Sequence, residues 1–384
     1  MNICHLIGLF VPDILGGHIT YAIDFGNHMN RYCRRQFFIV AKSDSDTSKL
    51  DSSFNFTVYR GTYLKHLPLS ILRTLSFGLF SLKQILLLNK KYDIDIIISH
   101  ILSLGIIATI AGKLLHKPVV WHVAGTFGST SRLGDAYETI VAKIFRPDHV
   151  FAGIGSIELK KFTCLLGEDK VTAIHGGVDT ERFCPKLTNK QLLKNRGLEN
   201  SFIIVSAHRL VQWKGVEYGI LAFNKFLQTS SSQDAVFIVI GDGILRHHLE
   251  MLASDLGINR RVVFLGEIDN SQIPDYLSIA DIVVATSIID NNNCSTREAM
   301  ACGKPVIAFD CQATKELIQH METGILAESG NISDLANKML VMYESPELLA
   351  EIGRNARESI VQNYSWNSVI YSYAQVCHKL IQQK

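Results

Sequence analysis

Short, near-continuous apolar runs alternate along this chain with stretches of helical periodicity. In the first half the runs are NICHLIGLF, QFFIVA, DIDIIIS, PVVWHVA, HVFAGIG and KVTAI; in the second they are FIIVSA, AVFIVIG, RVVFLG, DIVVA and PVIAFD. Helical patterns lie between them, among them residues 20–32, 216–228, 244–256, 335–343 and 346–362. Such alternation predicts parallel sheets with helices on both faces. Near the end of the chain Trp366, Val369, Tyr373, Val376 and Leu380 recur at spacings of three and four, which predicts an amphipathic helix.

A length of 384 residues exceeds one ordinary core and fits two domains. The Gly-rich, polar stretch 175–193, HGGVDTERFCPKLTNKQLL, separates the two series of strands and reads as hinge and linker. The expected division is residues 1–175 and 176–365, with helix 366–384 packing back on the first domain. Two doubly wound domains would leave a central cleft between their carboxyl edges. The most apolar window, residues 94–115, is interrupted by Ser99 and His100 and closed by Lys113, so it reads as strand, turn and helix rather than a membrane span. The first residues, with no basic leader and no small-residue cleavage site, read as a first strand. No internal repeat is seen.

A net charge of +2 without a dense basic stripe argues against a nucleic-acid binder. The eight cysteines include no Cys-x-x-Cys pair. Cys4, Cys164 and Cys377 lie in apolar stretches and read as small core residues, which suits a reducing compartment and a cytoplasmic chain.

The densest chemistry lies in residues 290–310, DNNNCSTREAMACGKPVIAFD, where a strand feeds a polar loop, a helix, a glycine stop and a new strand. Ser295 or Thr296 is expected to cap the helix, with Glu298 in its first turn, where free amides favour phosphate. Arg209 and Lys214, in FIIVSAHRLVQWKGVEYGILAF, stand between a strand and a helix. An Arg fork and a Lys point charge there suit a diphosphate and can neutralise a departing nucleoside diphosphate. Gly16 and Gly17 precede helix 20–32, where backbone can approach phosphate closely. GDGILRHHLE imitates the dinucleotide fingerprint but carries Arg246 in place of its third glycine, so the fingerprint fails. Asp44-Ser45-Asp46 imitates a metal-binding Asp-x-Asp and reads as a solvated loop.

These segments together, in order and spacing, are similar to the retaining GT-B glycosyltransferases of family four, the glycosyl transferases group 1. LGG, VVWHVAG, VTAIHGGVDTERF, AHRLVQWKGVEYGILAF, IGDGILRHHLE, VVFLGEIDNSQIPDYLSIADIVVATS and EAMACGKPVIAFD carry the resemblance over almost the whole chain. It implies an α/β GT-B fold of two Rossmann-like doubly wound domains facing a central cleft, the first on the acceptor side and the second holding a nucleotide sugar. By position it assigns the ribose hydroxyls to Glu298, the diphosphate to Arg209 and Lys214, and the phosphates from the first domain to Gly16 and Gly17. It places His122 near the donor sugar, Gly243 and Ile244 beside the nucleotide, and the base against the backbone around Leu265 to Ile268. The family's Glu-x7-Glu pair has Asp290 at its first position, one methylene short. After Asp310, where the family usually shows a Gly pair before a Glu, this chain reads CQATKE with Glu316 retained, and His175 stands where Asn is common.

The implied reaction moves a sugar from a UDP- or GDP-linked donor to an acceptor hydroxyl with retention, giving an α linkage. The leaving phosphate takes the acceptor proton, and neither a cofactor nor a metal is required. Residues 63–91 mix Lys65, Arg73, Lys83, Lys90 and Lys91 with Leu and Phe, a composition that suits an anionic membrane surface or a basic core-packing helix. The expected acceptor is a lipid-linked glycan of surface polysaccharide synthesis, at the inner face of the membrane. A nucleotide-sugar 2-epimerase and a scaffold that has lost catalysis are the alternatives on the same fold.

Overall fold

The structure, a computed structural model, describes the chain except residues 9, 13–16, 44, 62–69, 124–131, 154–156, 195–196, 230–233 and 290–292, together with the side chains of 17–18, 20, 70–75, 132–135, 157–158 and 190. It divides into two compact units: unit 1, Met1–Gly177 with Trp366–Lys384, and unit 2, Val178–Ser365.

Among the described residues of unit 1 the chain runs β1 (Asn2–Gly8), α1 (Gly17–Met29), β2 (Arg35–Ala41), α2 (Ser48–Ser53), β3 (Thr57–Gly61), α3 (Ser70–Tyr92), β4 (Ile96–Ser99), α4 (Leu102–Leu115), β5 (Val119–Val123), α5 (Arg132–Phe145), β6 (His149–Gly153), α6 (Ile157–Leu166) and β7 (Val171–Ile174). The strands form one parallel sheet in the order β3-β2-β1-β4-β5-β6-β7. Unit 2 continues with α7 (Lys190–Lys194), β8 (Ile203–Ala207), α8 (Val216–Thr229), β9 (Val236–Ile240), α9 (Arg246–Asp255), β10 (Val262–Gly266), α10 (Ile273–Ser278), β11 (Ile282–Ala285), α11 (Cys294–Ala301), β12 (Val306–Phe309), α12 (Gln312–Leu317), β13 (Ile325–Ala327), α13 (Ile332–Glu344) and α14 (Pro346–Asn363). Its parallel sheet has the order β10-β9-β8-β11-β12-β13. Both sheets therefore run third-second-first-fourth-fifth-sixth, the doubly wound Rossmann order.

Helices cover both faces of each sheet, so the central strands are buried on both and their runs are aliphatic without alternation, whereas the edge strands β3, β7 and β10 keep half-buried positions. In unit 2, Phe223 and Phe226 of α8 and Phe237 of β9 fill one face with no solvent exposure, each worth about 1.5–3 kcal/mol of burial. In unit 1 the first face carries Phe77, Trp121 and Phe162 under α3 to α6, and the second is closed by α1 and by α15 (Trp366–Gln382). Trp366, Tyr373 and Cys377 of α15 are buried there, and the hydroxyls of Tyr21 and Tyr373 lie 3.0 Å apart. Cys164 departs from expectation. It lies exposed on α6 rather than in the core, whereas Cys4 and Cys377 are buried.

One device recurs at three strand starts. Asp95, Asp148 and Asp281 each stand just before a strand and exchange two hydrogen bonds with the first residue of the adjacent one. Their carboxylates accept the amides of Asn2 (2.6 Å), Val119 (2.8 Å) and Ile203 (2.7 Å). Their own amides donate to the carbonyls of the same three residues at 2.9, 3.0 and 2.9 Å. The pairs fix register at β1/β4, β5/β6 and β8/β11, two of which are the points where strand order reverses. Asp281→Ala is expected to cost about 1–2 kcal/mol by leaving the Ile203 amide unpaired. Asp281→Asn, which keeps an acceptor, should cost clearly less; urea unfolding curves of the two variants check the difference.

Candidate functional site

Where strand order reverses, the loops leaving the carboxyl ends diverge, and ligands of doubly wound folds bind in the gap. In unit 2 this point lies between β8 and β11. The loop after β8 passes through His208 and Arg209 to a 3-10 turn, Gln212–Lys214, and enters α8 at Gly215, whose φ is 61°. Two hydrogen bonds hold it to the loop after β11. The Thr286 hydroxyl donates to the Lys214 carbonyl at 3.0 Å, and the Ile288 amide to the Trp213 carbonyl at 3.1 Å. A Cβ on Gly215 would lie 2.3 Å from the Thr286 carbonyl oxygen, so only glycine allows this approach.

The loop after β9 closes the other side. Leu210 N donates to the Asp242 carbonyl at 2.9 Å, and Leu245 N to the Leu210 carbonyl at 3.1 Å. Gly241 adopts φ 122°, and a Cβ there would sit 2.1 Å from the His208 carbonyl oxygen. At Gly243 the same atom would be 2.5 Å from the Leu210 carbonyl oxygen. Three loops are thus locked together through their backbones, and Arg209 and Lys214 project from the middle one. Arg209 is exposed and Lys214 half-buried.

Helix α11 begins differently from expectation. Its N-cap is Asn293 at φ 39°, Ser295 and Thr296 lie inside the helix, and Glu298 falls in the second turn rather than the first. Ser295 is drawn away from capping by His208, whose Nδ1 lies 3.1 Å from the Ser295 hydroxyl. His208 is buried, so this contact ties the start of α11 to the β8 loop and leaves the first-turn amides at the same sheet edge. Thr296 is buried, and Glu298 is half-buried.

The remaining assigned positions fall as follows. Gly243 and Ile244 are exposed, Ile244 at 87 %, and precede α9, which starts at Arg246 rather than Ile244. Leu265 and Ile268 flank the end of β10, with half-buried side chains packed on the unit 2 core. Gly17 opens α1, while Gly16 and Asp290 lie outside the described residues. Arg246, which breaks the dinucleotide fingerprint, pairs with Asp242 and Glu250, both at 2.9 Å, and so organises the β9 loop internally. Glu316 lies in α12 and accepts from Gln312 at 2.8 Å. Asp44 is outside the described residues; Asp46 accepts the Ser48 amide at 2.9 Å ahead of α2, and that bond holds its carboxyl below the usual range.

His122 belongs to unit 1. It sits on β5, 3 % exposed, and lies in a row of polar side chains that the sequence reading did not single out. His122 Nδ1 is 3.2 Å from His100 Nδ1, His100 Nε2 is 3.1 Å from His5 Nδ1, and His5 Nε2 is 3.1 Å from Gln36 Oε1. Burial holds His5 and His122 well below the usual imidazole range, and pushes His100 down to about 3. Polar residues within the runs NICHLIG, RQFFIVA and IIISH were the available signal, whereas nothing in the sequence joins His208 to Ser295, 87 positions apart.

A doubly wound sheet whose reversal point carries interlocked loops, two cations and a helix start is a nucleotide-binding architecture, and this chain has the sheet twice. The chain belongs to the GT-B glycosyltransferases and is an enzyme of that class. Residues 15–182 match Glycosyltransferase Family 4 and residues 189–359 match Glycosyl transferases group 1. It is 28 % identical over 304 residues to a UDP-Gal:alpha-D-GlcNAc-diphosphoundecaprenol alpha-1,3-galactosyltransferase of Escherichia coli, covering 74 % of this chain and 75 % of that one. It is also 28 % identical to an N-acetyl-alpha-D-glucosaminyl L-malate synthase of Bacillus anthracis, over 55 % of this chain and 54 % of the relative. Among solved structures, Anabaena HepE in complex with UDP superposes with a TM-score of 0.81 at 22 % identity, covering 99 % of this chain and 100 % of the other. A glycosyltransferase from Rickettsia africae gives 0.79 at 20 % identity, with full coverage of both. These two structures share the fold.

Gly241→Ala forces a Cβ into the His208 carbonyl in a backbone conformation that favours glycine. It is expected to lower stability by about 1–3 kcal/mol, read as a lower urea midpoint with unchanged slope.

Proposed function

We propose that this enzyme transfers a sugar, with retention, from a nucleoside diphosphate sugar to a hydroxyl of a lipid-linked glycan, forming an α linkage in surface polysaccharide synthesis. The observation that carries the reading is the edge of unit 2, where Arg209 and Lys214 stand on a loop locked between two others beside the start of α11. Arg209 grips diphosphate oxygens as a fork and Lys214 adds a point charge, so the charge that grows on the leaving nucleoside diphosphate meets fixed cations. Glu298 takes the ribose hydroxyls, and Asp290 the hydroxyls of the sugar. The departing phosphate accepts the acceptor's proton on the face it leaves, which needs no enzyme nucleophile, cofactor or metal ion. Gly16 and Gly17 are read as phosphate contacts, and the backbone near Leu265 and Ile268 meets the base.

The named relatives support the finer points. The Escherichia coli relative is named for a UDP-galactose donor, a diphosphoundecaprenol-linked acceptor and an α-1,3 linkage. A Mycolicibacterium smegmatis relative, 26 % identical over half of this chain, is named for a GDP-mannose donor and a phosphatidylinositol mannoside acceptor. The Anabaena structure is a complex with UDP.

We further assign the enzyme to the cytoplasmic membrane surface, held by unit 1. No helix among the described residues is long and apolar enough to cross a membrane. The neighbouring helices α3, α4 and α5 expose Leu79 (70 %), Leu87 (51 %), Leu114 (61 %), Ile140 (55 %) and Ile144 (63 %) among exposed Lys83, Lys90, Lys113 and Lys143. Apolar side chains framed by lysines suit an anionic lipid surface.

The test incubates purified protein with a panel of nucleotide sugars, with and without membrane lipid extract. Lipid-dependent release of nucleoside diphosphate is expected; conversion of the nucleotide sugar with no acceptor would instead identify an epimerase. Glu298→Ala and Lys214→Ala should each lower transfer by about 100-fold or more with the fold intact by circular dichroism. Near-normal turnover in either variant refutes the role given to that residue.

A further inference from the structure

The polar row of unit 1 crosses four adjacent strands, with Gln36 on β2, His5 on β1, His100 just after β4 and His122 on β5. Its proton order can be worked out from one end. Asn30 donates from its amide nitrogen to the Asn55 carbonyl at 2.7 Å, which turns its oxygen toward Gln36. The Gln36 amide nitrogen donates to that oxygen and to the Gly26 carbonyl, both at 2.6 Å. A reversed Gln36 amide would set its oxygen against two acceptors, so Oε1 must face His5 as an acceptor.

The rest follows ring by ring. His5 donates from Nε2 to Gln36, which leaves His5 Nδ1 without a proton. His100 therefore donates from Nε2 to His5 and accepts at Nδ1. His122 donates from Nδ1 to His100, and its Nε2 carries a bare lone pair. That nitrogen is buried and has no hydrogen-bond partner among the described residues. An orphaned buried acceptor is costly and calls for a donor from a ligand. All three rings are held neutral by burial, so no extra proton reverses the order near neutral pH.

We infer that Gln36, His5 and His100 are positioning residues that lock His122 into the Nδ1–H tautomer, so that its Nε2 accepts a hydrogen bond from a sugar hydroxyl during transfer. A free imidazole favours the opposite tautomer, with the proton on Nε2, and that form would present a donor where the relay presents an acceptor. The mechanism parallels the general use of a second group to set a histidine's tautomer and orientation. The functional half rests on the reading that His122 faces the donor sugar; the proton order does not.

The experiment is a long-range nitrogen–proton spectrum of histidine-labelled protein, with the His122 signals assigned by their loss in His122→Gln. In the wild-type protein His122 should show a protonated Nδ1 and an unprotonated Nε2; a proton on Nε2 would overturn the proposal without any variant of the relay. Gln36→Met keeps the side chain's length, lies three hydrogen bonds from His122, and should shift His122 toward the Nε2–H form. An unchanged His122 tautomer in that variant would likewise overturn it. Transfer by Gln36→Met should fall about tenfold in kcat/KM, the size of one lost hydrogen bond. Normal transfer by His122→Gln alongside the expected spectra would remove the functional half and leave the proton order standing.

Discussion

Everything assigned to unit 2 depends on backbone meeting backbone. At Gly241 the chain comes so near the His208 carbonyl that a single Cβ would lie 2.1 Å from it, and Gly215 stands in the same relation to Thr286 at 2.3 Å. Loops normally move more than the elements they join, because few contacts hold them. Here the loops after β8, β9 and β11 hold one another, so the backbone that carries Arg209 and Lys214 is held in place. A fixed cation stabilises developing charge without reorganising when the bond breaks, which is the source of its value in group transfer.

Unit 1 applies the same sheet order to a different end. Its reversal point carries few charges on the described residues and is crossed instead by neutral, buried, hydrogen-bonded rings. Such a network is costly unless every member is satisfied. Each link from Asn30 to His122 Nδ1 has a partner, and the deficit is gathered at one atom, His122 Nε2. The cost of burying three imidazoles is thereby concentrated where a substrate can relieve it.

Eleven of the thirteen strands among the described residues were legible because covered faces make them near-continuous aliphatic runs of four to seven residues, whereas β3 (TVYRG), polar and half-buried at a sheet edge, and the three-residue β13 (ILA) offer no such run. The loops were legible only in part. Arg209 and Lys214 stood out because charge between a strand and a helix needs a reason. The start of α11 was misplaced because Ser295 and Thr296 are both good caps by type, whereas the fold gives Ser295 to a histidine 87 positions earlier. Arg246 was read as the failure of a fingerprint and proves to be the centre of a local ion-pair group. His5, His100 and Gln36 passed unnoticed because one polar residue in a core strand is ordinary, and only the strand order brings the four together. Cys164 failed for the opposite reason: an apolar neighbourhood in sequence belongs to whichever helix face the fold turns outward.

The most direct test is backbone hydrogen exchange of the intact chain, with and without saturating UDP or GDP, in the presence of EDTA. Slowed exchange confined in unit 2 chiefly to residues 208–216 and 293–298 is the predicted result. Unchanged exchange in both segments, with nucleotide bound, would contradict the assignment of the interlocked loops as the diphosphate site.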